Sequence, residues 1–142
     1  SHKTSLIENG AARLGFENIT VTQQDASVFV PQWENAMDAV IADVPCSGYG
    51  IIRKKPDIRY KDLSSVGRLP EVQYPVLCGA AAYVKDGGVL VYSTCTINRA
   101  ENEEIVEKFL GEHPEFNLET MRTFWPHRDG CDGFFCAVMT KN

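Results

Sequence analysis

The chain has 142 residues, of which 44% are hydrophobic and 23% are charged, and its net charge is -5. This length and composition are typical of one soluble globular domain and exclude a disordered chain or a coiled coil. The acidic balance argues against a wholly basic nucleic-acid-binding surface, and no apolar run approaches the ~20 residues of a membrane-spanning helix.

The hydrophobic pattern of the chain predicts helices that alternate with strands. In the first half of the chain, the predicted elements are a helix over residues 3–14, a strand over 18–23, a buried strand over 37–44 and a loop over 45–57. In the second half they are a helix over 70–84, a turn over 85–88, a buried strand over 89–94, a helix over 98–110 and strands near 116–121 and 134–139. The helix over 98–110 is predicted to open with a capping box of Asn98 and Glu101. This order is typical of an α/β fold with a mostly parallel sheet and an antiparallel end.

Two of the predicted strands lead directly into a cysteine. Residues 37–44 run into Pro45 and Cys46, and residues 89–94 run into Cys95. One helical crossover joins the two strands, so they are predicted to be parallel neighbours whose carboxyl ends share one edge of the sheet. Open α/β sheets place their chemistry at this edge, and a thiolate is well suited to attack an electron-poor ring carbon.

Asp43 stands three residues before Cys46, so a carboxylate and a thiol are predicted at the same strand end. Both could face a cleft, or the aspartate could cap a turn while the cysteine is simply buried. The second strand-end thiol, that of Cys95, favours the functional interpretation. For Asp25 the same two alternatives stay open, since it could face a cofactor from its strand end or cap the next turn.

A basic segment follows Cys46 along the chain. Its cations are Arg53, Lys54, Lys55, Arg59 and Lys61. A lone thiol with a pKa of ~8.5 is only slightly ionised at neutral pH, so these cations are candidates to activate Cys95. From charge alone, a solvated loop is an equally good interpretation.

The number and spacing of the cysteines exclude some classes of protein. Five cysteines without a disulfide framework favour a reducing, cytoplasmic compartment. A phosphatase loop is excluded because Ile52, and not an arginine, follows Cys46 at the required spacing. His127, Cys131 and Cys136 lack a matching second pair of ligands, so we expect no metal site.

Several segments of the chain together resemble one family. They are DVPCSGYGIIRKKPDI (43–58), LPEVQ with a following helix and KDGG (69–88), VLVYSTCT (89–96), ENEEIV (101–106) and DGFFCAVM (132–139). In this order and at this spacing they are similar to the Sun-type RNA (cytosine-5) methyltransferases of the ribosomal RNA group. The resemblance implies a Rossmann-like fold that depends on S-adenosylmethionine, an RNA partner and a cytoplasmic location.

The resemblance also implies roles for individual residues. Cys95 would attack C6 of cytosine, because C5 cannot take a methyl group until that addition makes an enamine. Asp43 would protonate or hydrogen-bond N3, a general-acid task, and Cys46 would assist the loss of the C5 proton and the release of the enzyme. Asp25, Asp43 and Pro45 would border the cofactor, with Asp25 near its adenine and the backbone of Pro45 against the target base. The RNA would lie along the basic residues Arg53, Lys54, Lys55 and Arg59.

Residues 1–142 correspond to part of such a catalytic domain. The family's first two strands, its Gly-rich cofactor loop with a lysine and the acid after the second strand have no counterpart in this sequence. We therefore expect this chain alone to bind S-adenosylmethionine weakly or not at all. The strand over 18–23 would lose its neighbours, so we expect it to be detached, re-paired or borrowed by another copy, with self-association through exposed strand edges.

Two other functions stay open from the sequence. One is a catalytically silent RNA-binding or scaffold domain of the same fold. The other is a thiol redox protein in which Cys46 and Cys95 form a reversible disulfide.

Overall fold

The computed structural model describes residues 2–142 and contains a four-stranded sheet with helices packed on it. The helices are α1 (His2–Leu14), α2 (Leu63–Gly67), α3 (Leu69–Ala82), α4 (Glu103–Glu112) and α5 (Pro126–Asp129). The strands are β1 (Met37–Asp43), β2 (Val84–Thr94), β3 (Phe116–Phe124) and β4 (Phe134–Lys141). Short 3-10 turns lie at Pro31–Trp33, Tyr49–Ile51, Pro56–Tyr60 and Arg99–Glu101. None of the helices formed by these residues combines the length and apolar character needed to cross a bilayer.

The strands lie side by side in the order β1-β2-β4-β3. β1 and β2 are parallel, with Asp43 opposite Ser93, so both strands end at the same edge of the sheet. β4 runs antiparallel to β2 and to β3. The α/β class with an antiparallel end is therefore confirmed.

The core lies between the sheet and helices α3 and α4. β2 is an inner strand, and its alternate residues Leu90 and Tyr92 are fully buried. They belong to one apolar cluster with Leu77 of α3, Phe109 of α4 and Met139 of β4. Packing of this kind fixes the sheet rigidly, so the loops that follow β1 and β2 start from defined positions.

The strand predicted over residues 18–23 is wrong, because these residues form neither helix nor strand. They are exposed or half-buried and lie outside the four-stranded sheet. A strand needs a partner for its backbone hydrogen bonds, and no neighbour pairs with this segment among the described residues. Its expected detachment from the sheet is thus observed, while pairing with another copy stays a prediction.

Two other boundaries also differ from the sequence pattern. The turn predicted over 85–88 is wrong because β2 begins at Val84 and includes these residues. Met37 of β1 lies opposite Val84 and Ala39 lies opposite Val89, so β2 has an irregular register at this point. The helix predicted from residue 98 begins instead at Glu103. Asn98 caps the preceding 3-10 turn, where its side chain accepts a hydrogen bond from the backbone of Ala100.

Gly50 joins the loop after β1 to two other segments. Its N–H donates to the carbonyl of Cys95 at 3.1 Å, and its own carbonyl accepts from the N–H of Gly133 at 2.8 Å. A Cβ atom added at Gly50 would lie 1.8 Å from the carbonyl oxygen of Gly133. Only glycine therefore allows this close approach of two backbones.

We expect Gly50→Ala to destabilise the protein by about 3 kcal/mol, because overpacking against a backbone atom cannot be relieved by a side-chain rotation. Urea unfolding of the purified protein measures the change. Gly111→Ala is the matched control, since nothing lies within 4 Å of a Cβ at that position of α4 and alanine is the better helix former. Equal stability of the two variants would show that the loop does not depend on the glycine contact.

Candidate active site at the carboxyl ends of two parallel strands

The parallel register of β1 and β2 brings the two strand-end cysteines into contact. The N–H of Val44 donates to the carbonyl of Ser93 at 3.3 Å, which continues the pairing of the strands to their ends. Beyond that point the Sγ atoms of Cys46 and Cys95 are 3.2 Å apart. Both cysteines are free and half-buried. The neighbouring thiols that the sequence predicts are thus observed at one sheet edge.

The surroundings of Cys46 keep its thiol protonated. Burial first, and the hydrogen bond with Cys95 second, raise the pKa of Cys46 from 9.0 to about 12. A thiol that holds its proton can donate a hydrogen bond to an adjacent thiolate. At a separation of 3.2 Å, the geometry allows Cys46 to donate to a thiolate at Cys95.

The raised pKa of Cys46 predicts a loss of stability in alkaline solution. The folded protein holds the Cys46 proton more tightly than the unfolded chain does. The stability of the folded state that depends on this proton is therefore fully present below pH 9.0 and is lost as pH rises toward about 12. We expect the free energy of unfolding to fall more steeply above pH 9.0 in the wild type than in Cys46→Ala. Urea unfolding at several pH values measures both slopes, with Cys131→Ala as the control. Equal slopes for the wild type and Cys46→Ala would contradict a raised pKa of Cys46.

Asp43 lies at the end of β1 and is exposed. Its Oδ1 atom accepts a hydrogen bond of 3.2 Å from Oγ of Ser93, the opposite residue of β2. This bond orients the carboxylate beside the strand ends that carry the two thiols. The second carboxylate oxygen stays available to a ligand in the cleft.

A cavity of about 240 Å³ opens beside Asp43 along β1. Its walls include Ala26, Trp33, Val76 and Ala80. Thr22 and Gln24 add polar groups to the lining, beside the carboxylate of Asp43. Apolar walls with a few polar groups are typical of a small-molecule site.

Asp25 itself is not among the residues that line this cavity. Its Oδ1 atom accepts hydrogen bonds from the N–H and the Oγ of Ser27, at 2.9 and 2.7 Å. These bonds hold the pKa of the carboxyl below its usual value. The structure thus shows Asp25 as the cap of a turn, directly beside the cavity residues Gln24 and Ala26. Contact of Asp25 with a cofactor stays a prediction.

Pro45 is exposed, and its carbonyl accepts a hydrogen bond of 2.9 Å from Nε2 of Gln73 on α3. A carbonyl has two lone pairs, so the oxygen of Pro45 can still accept a bond from a ligand. The bond to Gln73 fixes the backbone on the N-terminal side of Cys46.

The basic segment after Cys46 divides into two groups. Arg53 and Lys54 form ion pairs with the buried Asp132, at 3.3 and 2.5 Å, and these pairs dock the loop against the start of β4. Their side chains are nevertheless 74% and 68% exposed. Lys55 and Arg59 are exposed and form no ion pair with another described residue. All four cations can therefore face a polyanion.

None of the hydrogen bonds of the basic segment reaches Cys95 in the described part of the chain. The Nζ atom of Lys61 instead donates to the carbonyl of Ser47 at 2.7 Å. The group in direct contact with the Cys95 sulfur is the thiol of Cys46. Among residues 2–142, no cluster of three or more histidine, cysteine or acidic side chains is arranged to hold a metal ion.

A buried polar network behind the thiols was missed by the sequence analysis. Its members are Ser47, Gln73, Thr94, Thr96, Glu101 and Asn102, and each is at most 1% exposed. The available signal is the ENEEIV segment, where the spacing pairs Glu101 with Asn98, and Oε1 of Glu101 does accept from Nδ2 of Asn98 at 2.8 Å. In the structure that carboxylate turns inward and binds the loop after β1.

Comparison with known proteins identifies sequence relatives of the whole chain. The model of the 16S rRNA methyltransferase RsmB/F family matches residues 1–140. The probable ribosomal RNA small subunit methyltransferase B of Bacillus subtilis (strain 168) is 41% identical, over 99% of this chain and 36% of that protein. The ribosomal RNA small subunit methyltransferase F of Shewanella loihica is 31% identical, over 99% of this chain and 33% of that protein. The chain thus spans about a third of the length of these curated relatives.

Solved structures share the fold. The crystal structure of PH0851 superposes with a TM-score of 0.90 at 33% identity, over 95% of this chain and 34% of that chain. NSun6 from Pyrococcus horikoshii, solved with SFG, gives a TM-score of 0.77 at 26% identity, over 95% of this chain and 38% of that chain. These likenesses confirm the Rossmann-like methyltransferase fold expected from the sequence.

Proposed function

Because the chain belongs to the 16S rRNA methyltransferase RsmB/F family, we propose that the intact protein methylates C5 of a cytosine in ribosomal RNA through a covalent adduct with Cys95. The observation that carries this proposal is the contact of 3.2 Å between the sulfurs of Cys46 and Cys95 at the carboxyl ends of β1 and β2. Across this distance the Cys46 thiol can donate a hydrogen bond to a thiolate at Cys95.

The first step is addition to the ring. The Cys95 thiolate donates an electron pair to C6, a carbon–sulfur bond forms, and the electrons of the C5–C6 double bond move toward N3. Asp43 supplies or holds the proton on N3, so that negative charge does not accumulate on the ring. C5 is then an enamine carbon and can take a methyl group, which S-adenosylmethionine supplies when it is bound.

The second step returns the enzyme to its starting state. The C5 proton passes to a water molecule, its electron pair forms a new C5–C6 double bond, the bond from C6 to Cys95 breaks with its electrons on the sulfur, and the N3 proton returns to Asp43. Cys46 assists this step.

Residues around the two thiols would hold the ligands. The cavity beside Asp43 would hold the adenosyl group between apolar walls that include Val76 and Ala80. Asp25 is adjacent in sequence to residues that line the cavity, which supports a contact of Asp25 with the adenine. Pro45 is adjacent to Cys46, which supports a contact of its backbone with the target base. The relative NSun6, which was solved with an S-adenosylmethionine analogue, supports the choice of cofactor.

The RNA would approach along the basic segment. Arg53, Lys54, Lys55 and Arg59 all expose their charge on one loop next to Cys46. Cations on such a loop bind phosphates regardless of sequence. The target cytosine must leave any base stack to reach a half-buried thiol, as in other enzymes that act on a base.

Product analysis tests the proposal. The intact protein is incubated with unmodified 16S rRNA and S-adenosylmethionine with an isotopically labelled methyl group, and the RNA is digested to nucleosides for mass spectrometry. Labelled 5-methylcytidine is the expected product. A label on another nucleoside would overturn the assigned chemistry, and RNA binding without any transfer would favour the silent RNA-binding or scaffold domain.

A further inference from the structure

The polar network behind the thiols contains two adjacent residues, Glu101 and Asn102, that take no part in the proposed chemistry. Both side chains are 0% exposed. They lie at the junction between the 3-10 turn Arg99–Glu101 and the start of α4. Each hydrogen-bonds the backbone beside a different cysteine.

Glu101 holds the loop around Cys46. Its Oε2 atom accepts from the N–H of Ser47 at 2.8 Å and from Nε2 of Gln73 at 3.0 Å. The same Nε2 atom of Gln73 also donates to the carbonyl of Pro45 at 2.9 Å. The backbone is thus fixed on both sides of Cys46 through one carboxylate.

Asn102 holds the loop around Cys95 in a corresponding way. Its Oδ1 atom accepts from Oγ1 of Thr94 at 2.7 Å, and its Nδ2 atom donates to the carbonyl of Thr96 at 3.0 Å. The residues before and after Cys95 are therefore bound to one amide side chain.

A third contact joins the two loops directly. The Oγ of Ser47 and the Oγ1 of Thr96 are 2.7 Å apart, and each of these residues follows one of the cysteines. Because Glu101 and Asn102 are consecutive, the two loops are tied to one short piece of backbone and to each other. Their relative position has little freedom left.

We propose that Glu101 and Asn102 are positioning residues that set the separation of the two thiols. Burial of polar side chains is costly, and replacement of buried polar groups by apolar residues is often neutral or stabilising, so stability alone does not explain the pair. What the pair provides is a fixed geometry at both cysteines. The catalytic meaning of that geometry rests on the function proposed above, whereas the geometry itself can be measured without methyl transfer.

The test measures how easily Cys46 and Cys95 form a disulfide in the intact protein. Two thiols and one oxidised glutathione give the protein disulfide and two molecules of reduced glutathione, so the equilibrium constant reports the effective concentration of one sulfur at the other. Peptide mapping by mass spectrometry quantifies the 46–95 link. The variants are Glu101→Ala, Glu101→Gln and Asn102→Ala.

We expect Glu101→Ala and Asn102→Ala to lower the effective concentration by about tenfold or more, because displacements near 1 Å have large effects on reacting groups. Glu101→Gln keeps one acceptor oxygen and should fall between wild type and Glu101→Ala; it serves as the test variant if Glu101→Ala does not fold. Val106→Ala is the control for stability, since this residue of α4 is buried in the apolar core and is not hydrogen-bonded to either cysteine loop. It should stay within about twofold of wild type.

The proposal would be overturned if the effective concentration in Glu101→Gln or Asn102→Ala were as close to that of the wild type as the effective concentration in Val106→Ala is. In the same variants, kcat for methyl transfer should fall while KM for RNA stays unchanged. If the wild type transfers no methyl group, the proposed function fails, but the disulfide equilibrium still decides whether the two residues position the thiols.

Discussion

Cys95→Ser in the intact protein should reduce methyl transfer to cytosine by about 10⁴-fold or more. A serine hydroxyl is not ionised near neutral pH, so no nucleophile can add to C6. Transfer of a labelled methyl group to 16S rRNA measures the loss. Cys78→Ser is the matched control, because this half-buried cysteine of α3 packs against the apolar core. Activity of Cys95→Ser close to that of Cys78→Ser would exclude Cys95 as the nucleophile.

Cys46→Ala should give the opposite kind of failure, in which addition occurs but release does not. Without Cys46 the C5 proton is lost slowly, so the RNA stays covalently attached through Cys95. A band of protein with bound RNA that survives denaturing electrophoresis should accumulate with time. The double variant Cys46→Ala with Cys95→Ser should give no such band.

The two single variants also test each other. If Cys95→Ser and Cys46→Ala keep the same residual turnover and neither accumulates RNA, the different roles assigned to the two thiols are wrong. A trapped band in Cys95→Ser would instead mean that the roles are exchanged.

The side chains of the site that could be predicted from sequence are those that follow the ends of predicted strands. Apolar runs that lead into Cys46 and Cys95 predict two parallel strands, and parallel strands present their carboxyl ends at one edge. That rule places the thiols together without any knowledge of side-chain contacts. The same rule places Asp43 beside them, since it is the last residue of β1.

The network behind the thiols could not be predicted in this way. Asn98 and Glu101 have the spacing of a capping box, and Asn98 does cap a turn. Glu101 binds the N–H of Ser47, which is 54 residues away in sequence. A local pattern carries no information about such a distant partner, so it predicts only the contact of Glu101 with Asn98, which is 2.8 Å long in the structure.

Long-range pairing also explains what was missed in the basic segment. Its charges indicate a loop that attracts phosphate, but Arg53 and Lys54 are bound to Asp132, 79 positions after Arg53. The ion pairs give the loop a fixed place against β4 and leave part of the cationic surface outward. Segment 18–23 shows the converse case, because its alternating residues form no strand where, among residues 2–142, no neighbouring strand pairs with them.

The most direct test uses RNA in which the target cytosine carries fluorine at C5. Fluorine cannot leave as a proton does, so an adduct formed by the wild-type protein with S-adenosylmethionine should persist and can be digested and sequenced by tandem mass spectrometry. We expect the modified pyrimidine on the peptide that contains Cys95, bonded through its sulfur. Attachment at Cys46, or no attachment in a protein that still methylates unmodified RNA, would contradict the account.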